Sequence, residues 1–120
     1  VKLGNPLAKS AFWMLSDKIT PHIDICRTSN GKVLFDYFPS TDKRFKHAIS
    51  SKYANDFYIF TLEWTPNKLV WKINNTVAFT CTNNVPSVPM YILFSGGLDK
   101  PVNSMTTMEI DWVRVYKPVK

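Results

Sequence analysis

The run FYIFTLEWTPNKLVWKINN, residues 57–75, decides the fold. Phe57, Tyr58, Ile59, Phe60, Thr61 and Trp64 are aromatic or β-branched, the side chains that suit a pleated, half-buried surface. Residues 57–64 therefore read as one long strand, ended by the turn Thr65-Pro66-Asn67-Lys68. Residues 69–73 form the next strand, and Asn74-Asn75 joins it to a third over residues 76–81 as a hairpin. Nothing here sustains the 3.6-residue period of a helix.

The same pattern continues in both directions. Upstream, SAFWMLS (residues 10–16) is a continuous apolar run of strand length centred on Trp13. A loop over residues 17–21 leads into a strand at PHIDICR, residues 21–27, and Asn30-Gly31 signals a hairpin to residues 32–38. In that partner strand Val33, Phe35 and Tyr37 alternate with Lys32, Leu34, Asp36 and Phe38, so both faces are partly apolar. Residues 39–56 are polar, basic and loop-like, with one short strand around residues 45–49. Downstream, residues 90–94 are a buried run that Gly96-Gly97 ends, and residues 108–116 a long closing strand. Residues 1–3 read as the end of a strand, and Gly4-Asn5-Pro6 as a turn. Many short strands in 120 residues specify a single all-β domain, a sandwich or a barrel, without internal repeats. An aromatic content of 14%, with eight Pro and only four Gly, fits strands punctuated by turns.

Charge and cysteine usage exclude several classes of function. Fifteen Lys and Arg against nine Asp and Glu give a net charge of +6. The positive side chains are scattered, the densest cluster being Lys43-Arg44-Phe45-Lys46-His47, with no basic helix or RNA-recognition motif. A solvated basic surface is expected, and no nucleic-acid partner. No apolar run approaches the roughly 20 residues that span a bilayer. Cys26 and Cys81 permit one disulfide, but both sit in strand-like runs where a thiol behaves as a small hydrophobe, so two free thiols are expected. There is no Cys-x-x-Cys, and His22 and His47 lack the spacing of a zinc site, so neither metal nor cofactor is expected.

The densest chemistry lies in Pro21-His22-Ile23-Asp24-Ile25-Cys26-Arg27. Regular alternation puts Ile23 and Ile25 on one face and His22, Asp24 and Cys26 on the other, as a sheet would present a site to a cleft.

In order, SAFWMLS, PHIDICR, FYIFTLEWTPNKLVWKINN, VPMYILF and MEIDWVRVYK resemble the C-terminal half of family-16 glycoside hydrolases, the laminarinases, lichenases and related β-glycanases. LEWTPNKLVWKIN and EIDWVRVY are the strongest pieces. The resemblance implies a concanavalin A-like jelly-roll β-sandwich with a β-glucan or related polysaccharide across its concave sheet, in an extracellular or cell-surface protein. Members of that family carry a comparable stretch upstream, which supplies strands to both sheets. The chain opens with Val1 rather than Met, and the sandwich is expected to be incomplete until an upstream segment or a second chain completes it.

The family's catalytic strand reads Glu-x-Asp-x-x-Glu, or Glu-x-Asp-x-Glu without a bulge. The first Glu is the nucleophile, the Asp tunes it, and the last Glu is the general acid/base. Here the nucleophile position holds His22, the Asp is kept as Asp24, and the acid/base position holds Arg27, or Cys26 in the unbulged register. Neither register leaves the paired carboxyl groups, roughly 5–5.5 Å apart, that retaining hydrolysis requires. Arg27 stays protonated and cannot donate a proton to a leaving group, and Asp24 is placed to pair with His22. The resemblance puts Trp13 near the cleft, making Trp13, His22 and Asp24 the candidate saccharide contacts. Trp64 and Trp112 are expected in the core. Tyr58 and Phe60 replace the His and Tyr of the family's Phe-His-x-Tyr stretch, while Glu63, Glu109 and Asp111 are structural acids. The leading expectation is a domain without catalysis that either binds carbohydrate or only supports a larger assembly. The alternatives are a β-1,3 or β-1,3-1,4 glucan hydrolase with an atypical site and a purely structural sandwich module.

Overall fold

The computed structural model describes residues 1–97 and 107–116. Its strands are β1 (Lys9–Leu15), β2 (His22–Ser29), β3 (Lys32–Ser40), β4 (Lys43–Ile49), β5 (Phe60–Trp64), β6 (Leu69–Ile73), β7 (Thr76–Cys81) and β8 (Tyr91–Gly97). A 3-10 turn, Ser51–Ala54, follows β4. The strands form a five-stranded sheet in the order β4-β3-β2-β1-β8 and a three-stranded sheet in the order β5-β6-β7, every pair antiparallel. The all-β sandwich expected from the sequence is what the chain adopts.

Two turns set the register of the hairpins. Asn30 (φ 50°) and Gly31 (φ 77°) join β2 to β3, and Asn74 (φ 47°) and Asn75 (φ 74°) join β6 to β7. These are left-handed pairs, the twist that matches the flanking strands. Between the sheets, Ile23, Ile25, Cys26, Val33, Phe35 and Tyr37 from one layer meet Phe60, Leu69, Trp71 and Cys81 from the other. Trp71 is fully buried, its ring centroid 6.5 Å from Phe35 and 5.0 Å from Phe79. Cys26 and Cys81 are both buried and unbridged. Gly4 (φ 87°) is required where it stands, since a Cβ there would lie 2.1 Å from the Thr107 carbonyl oxygen.

Three expectations are corrected. The strand expected over residues 57–64 begins at Phe60, because Asn74 occupies Ile59: the Ile59 N–H donates to Asn74 Oδ1 (2.8 Å) and the Asn74 N–H to the Ile59 carbonyl (2.8 Å). The closing strand over residues 108–116 is reduced to one bridge, in which Glu109 and Lys2 exchange backbone bonds of 2.8 and 2.9 Å. Residues 110–116 lie in no strand of either described sheet, so their strand-forming composition has no ladder to join. Glu109 faces Lys2 at 3.7 Å. Trp112, expected in the core, is 44% exposed beneath the Arg114 guanidinium, with Ile110, Val113, Val115 and Tyr116 exposed beside it.

Candidate functional site

The outer face of the five-stranded sheet carries the site. Trp13 on β1, His22, Asp24 and Arg27 on β2, Phe38 on β3 and Arg44 on β4 line one open cleft of about 410 Å³. They come from four adjacent strands, and the pairing registers bring them together.

A bulge in β2 decides which side chains reach that face. In both neighbouring ladders the pairing skips a residue: Cys26 pairs with Phe12 but Asp24 with Trp13, and Asp24 pairs with Asp36 but Arg27 with Leu34. The bulge at Ile25 and Cys26 leaves both in the core and returns Arg27 to the face of His22 and Asp24. The expected His22, Asp24 and Cys26 face is therefore corrected to His22, Asp24 and Arg27. Burial pushes the Cys26 thiol far up, so it is inert. At this step the Asp24 carbonyl accepts a 2.9 Å hydrogen bond from Trp71 Nε1, which ties the bulge to the opposite sheet.

The polar groups form one connected network. His22 Nε2 lies 2.8 Å from Asp24 Oδ1, the pairing expected from their spacing. Arg27 Nε is 3.2 Å from Asp24 Oδ2 and 2.6 Å from Asp36 Oδ2. Arg44 meets the other Asp36 oxygen, with Nε and Nη2 at 2.9 and 2.8 Å from Oδ1. Asp36 is wholly buried, whereas the Arg27 and Arg44 side chains are 22% and 36% exposed. Carboxylates thus form the floor of the cleft and guanidinium groups its surface. Burial pushes the Asp24 carboxyl up from its ordinary value, with the His22 hydrogen bond and the Arg27 charge opposing and Asp36 reinforcing.

Aromatic rings flank this network. Trp13 lies 4.9 Å from the His22 ring, His22 lies 5.1 Å from Phe38, and Trp13 Nε1 donates to Ser95 Oγ at 3.1 Å. Arg44 sits 5.1 Å above the Phe38 ring. Trp64 instead packs against the core, donating to the Pro86 carbonyl at 2.8 Å. Glu63 pairs with Lys72 on the neighbouring strand (2.5 Å), away from the cleft.

Sequence reasoning missed Asp36, Phe38 and Arg44. Asp36 carried a usable signal, an acid in the middle of an apolar strand across a two-residue hairpin from Asp24. Arg44 gave none, being one cation in a basic, polar stretch.

The fold is an antiparallel β-sandwich with an open cleft on its five-stranded sheet. Residues 8–114 match the model of glycosyl hydrolases family 16, and the chain belongs to that family. It is 27% identical over 97 residues to the β-glucanase of Bacillus subtilis (strain 168), covering 72% of this chain and 40% of the relative. Among solved structures, the Bacillus licheniformis β-glucanase superposes with a TM-score of 0.65 at 21% identity, covering 81% of this chain and 50% of that one. The laminarinase catalytic domain from Thermotoga maritima gives a TM-score of 0.67 at 18% identity, with the same coverage. The chain thus spans 40% of the length of the curated relatives it matches.

Proposed function

We propose that this domain no longer hydrolyses glycosidic bonds and instead holds a β-glucan or related polysaccharide on the outer face of its five-stranded sheet. One observation carries the reading: Asp24 is bonded to both His22 and Arg27, the positions to which the family resemblance assigns the two glutamates. A guanidinium at position 27 supplies neither an acid for the leaving group nor a base for water. Asp36 is the other carboxylate nearby, but complete burial keeps it from substrate. The half-buried Trp13, beside His22, offers a flat apolar surface to a sugar ring.

A polysaccharide ligand puts the protein outside the cell or on its surface. No helix among the described residues is long and apolar enough to cross a membrane. The exposed apolar side chains of residues 110–116 support completion of the sandwich by further strands, from an upstream segment or a second chain.

Affinity electrophoresis through gels cast with β-1,3-glucan, mixed-linkage glucan and related polysaccharides tests the reading. Retention is expected, with Trp13→Ala weakening it by about three- to tenfold, the equivalent of roughly 0.5–1.5 kcal/mol of aromatic contact. Equal migration with and without every polysaccharide would overturn it.

A further inference from the structure

We propose that the saccharide held in this cleft is acidic, carrying carboxylate or sulfate groups that Arg27 and Arg44 receive. The inference rests on the carbohydrate-binding reading and narrows its ligand class.

The charge layering of the cleft is its first support. Lys9, Arg27 and Arg44 are the cations lining the cavity, and Asp24 is the acid among its lining residues. Asp24 and Asp36 lie beneath, with side chains 5% and 0% exposed. A ligand entering from solvent meets cationic donors before it meets a carboxylate. A neutral glucan would use such a surface poorly, since its hydroxyls gain less than an oxyanion does from a charged donor.

Donor geometry is the second support. Arg27 reaches both carboxylates through Nε, and Arg44 grips Asp36 through Nε and Nη2. A guanidinium has five N–H donors, so each keeps terminal donors beyond these contacts for a planar or tetrahedral oxyanion. The buried carboxylates hold both side chains in place before any ligand arrives, and the Phe38 ring packs against Arg44, which lowers the ordering cost of binding. Trp13, on the other side of His22 from Phe38, takes the sugar's apolar face. Ring and oxyanion receptors together match a charged sugar better than a bare phosphate or a neutral glucan.

Isothermal titration at about 0.15 M salt, where long-range attraction is largely screened, tests this with four probes. They are a neutral β-gluco-oligosaccharide, an oligouronate, a sulfated oligosaccharide, and a single-stranded oligonucleotide of matching charge. At least one acidic saccharide is expected to bind about tenfold or more tightly than the neutral one, and the uronate and sulfate arms identify which oxyanion is preferred. Arg44→Gln should remove about tenfold from acidic-saccharide affinity, as loss of a charge-assisted contact would, and an unchanged acidic-saccharide affinity in a folded variant would overturn the inference. Arg44→Lys, which keeps the charge over Asp36 but not the planar fork, should give a smaller loss of the same sign should Arg44→Gln fail to fold. Neutral binding as tight as acidic binding would overturn this inference while leaving the carbohydrate reading intact. Equal affinity for the oligonucleotide would overturn it in favour of a general polyanion surface. No saccharide binding at all would overturn both.

Discussion

Arg27 is the side chain on which the floor of the cleft depends, and Arg27→Met tests that dependence. The substitution keeps length and apolar stem but removes the cation 2.6 Å from Asp36 and 3.2 Å from Asp24. Removing one partner of a buried ion pair costs about 3–5 kcal/mol. Three features reduce that figure here: Arg44 still holds Asp36, His22 still holds Asp24, and the partly exposed site admits water. We expect a loss of about 2–3 kcal/mol at pH 7, or a urea midpoint about 1–2 M lower for a typical dependence on denaturant. Urea unfolding at one fixed protein concentration measures it.

The loss should depend on pH with a defined sign. Asp24 has a raised folded-state value, so its contribution is intact below the ordinary carboxylate range and is lost as pH rises through that raised value. Arg27 opposes the rise, so Arg27→Met moves the Asp24 value higher still. The variant's penalty is therefore full above the new value, shrinks as pH falls through the interval between the two, and loses its Asp24 component below the wild-type value. Asp24→Asn, which fixes the neutral form, should cost less than Arg27→Met at pH 7, under about 1 kcal/mol, and flatten the pH profile. In the double variant the two effects should couple by about 1 kcal/mol or more. An Arg27→Met protein within about 0.5 kcal/mol of wild type at pH 7, or additive effects in the double variant, would refute the reasoning.

Three further outcomes follow from other parts of the structure. Trp71→Phe strips the Asp24 carbonyl of its buried donor and leaves a void, for an expected loss of about 3 kcal/mol by urea unfolding; a loss under about 1 kcal/mol would count against the tie between sheet and bulge. Ile19 is 70% exposed and held at φ 73°, where a β-branched residue is strained, so Ile19→Asn should stabilise by about 1 kcal/mol, and an unchanged midpoint would refute the strain. The 120-residue chain by itself should self-associate in sedimentation velocity, because the apolar side chains of residues 110–116 are exposed. A monomer that unfolds cooperatively would contradict the incomplete-sandwich reading.

The parts of this molecule legible in its sequence are those set by local chemistry. Asn30-Gly31 and Asn74-Asn75 announce their hairpins because few residues accept φ above zero, and both pairs adopt it. Val33, Phe35 and Tyr37 face the core as their alternation requires. The bulge was not legible, since Ile25 and Cys26 have no composition that marks an extra residue, yet it exchanges Cys26 for Arg27 at the site. The resemblance offered both registers, and the pairing of β2 with its two neighbours selects the bulged one. Residues 110–116 show the converse: their pattern suits a strand, but a strand needs a partner that composition cannot supply. Arg44 became meaningful only through the β3–β4 register, which sets a residue of a basic stretch over the buried Asp36.

Release of reducing sugar from β-1,3-glucan and mixed-linkage glucan tests the central claim most directly, with Arg27→Gln and His22→Ala proteins run beside the wild type. The arrangement of His22, Asp24 and Arg27 predicts no release above a protein-free blank from any of the three. Release by the wild type that His22→Ala abolishes would show that this strand still performs hydrolysis, and would contradict the account.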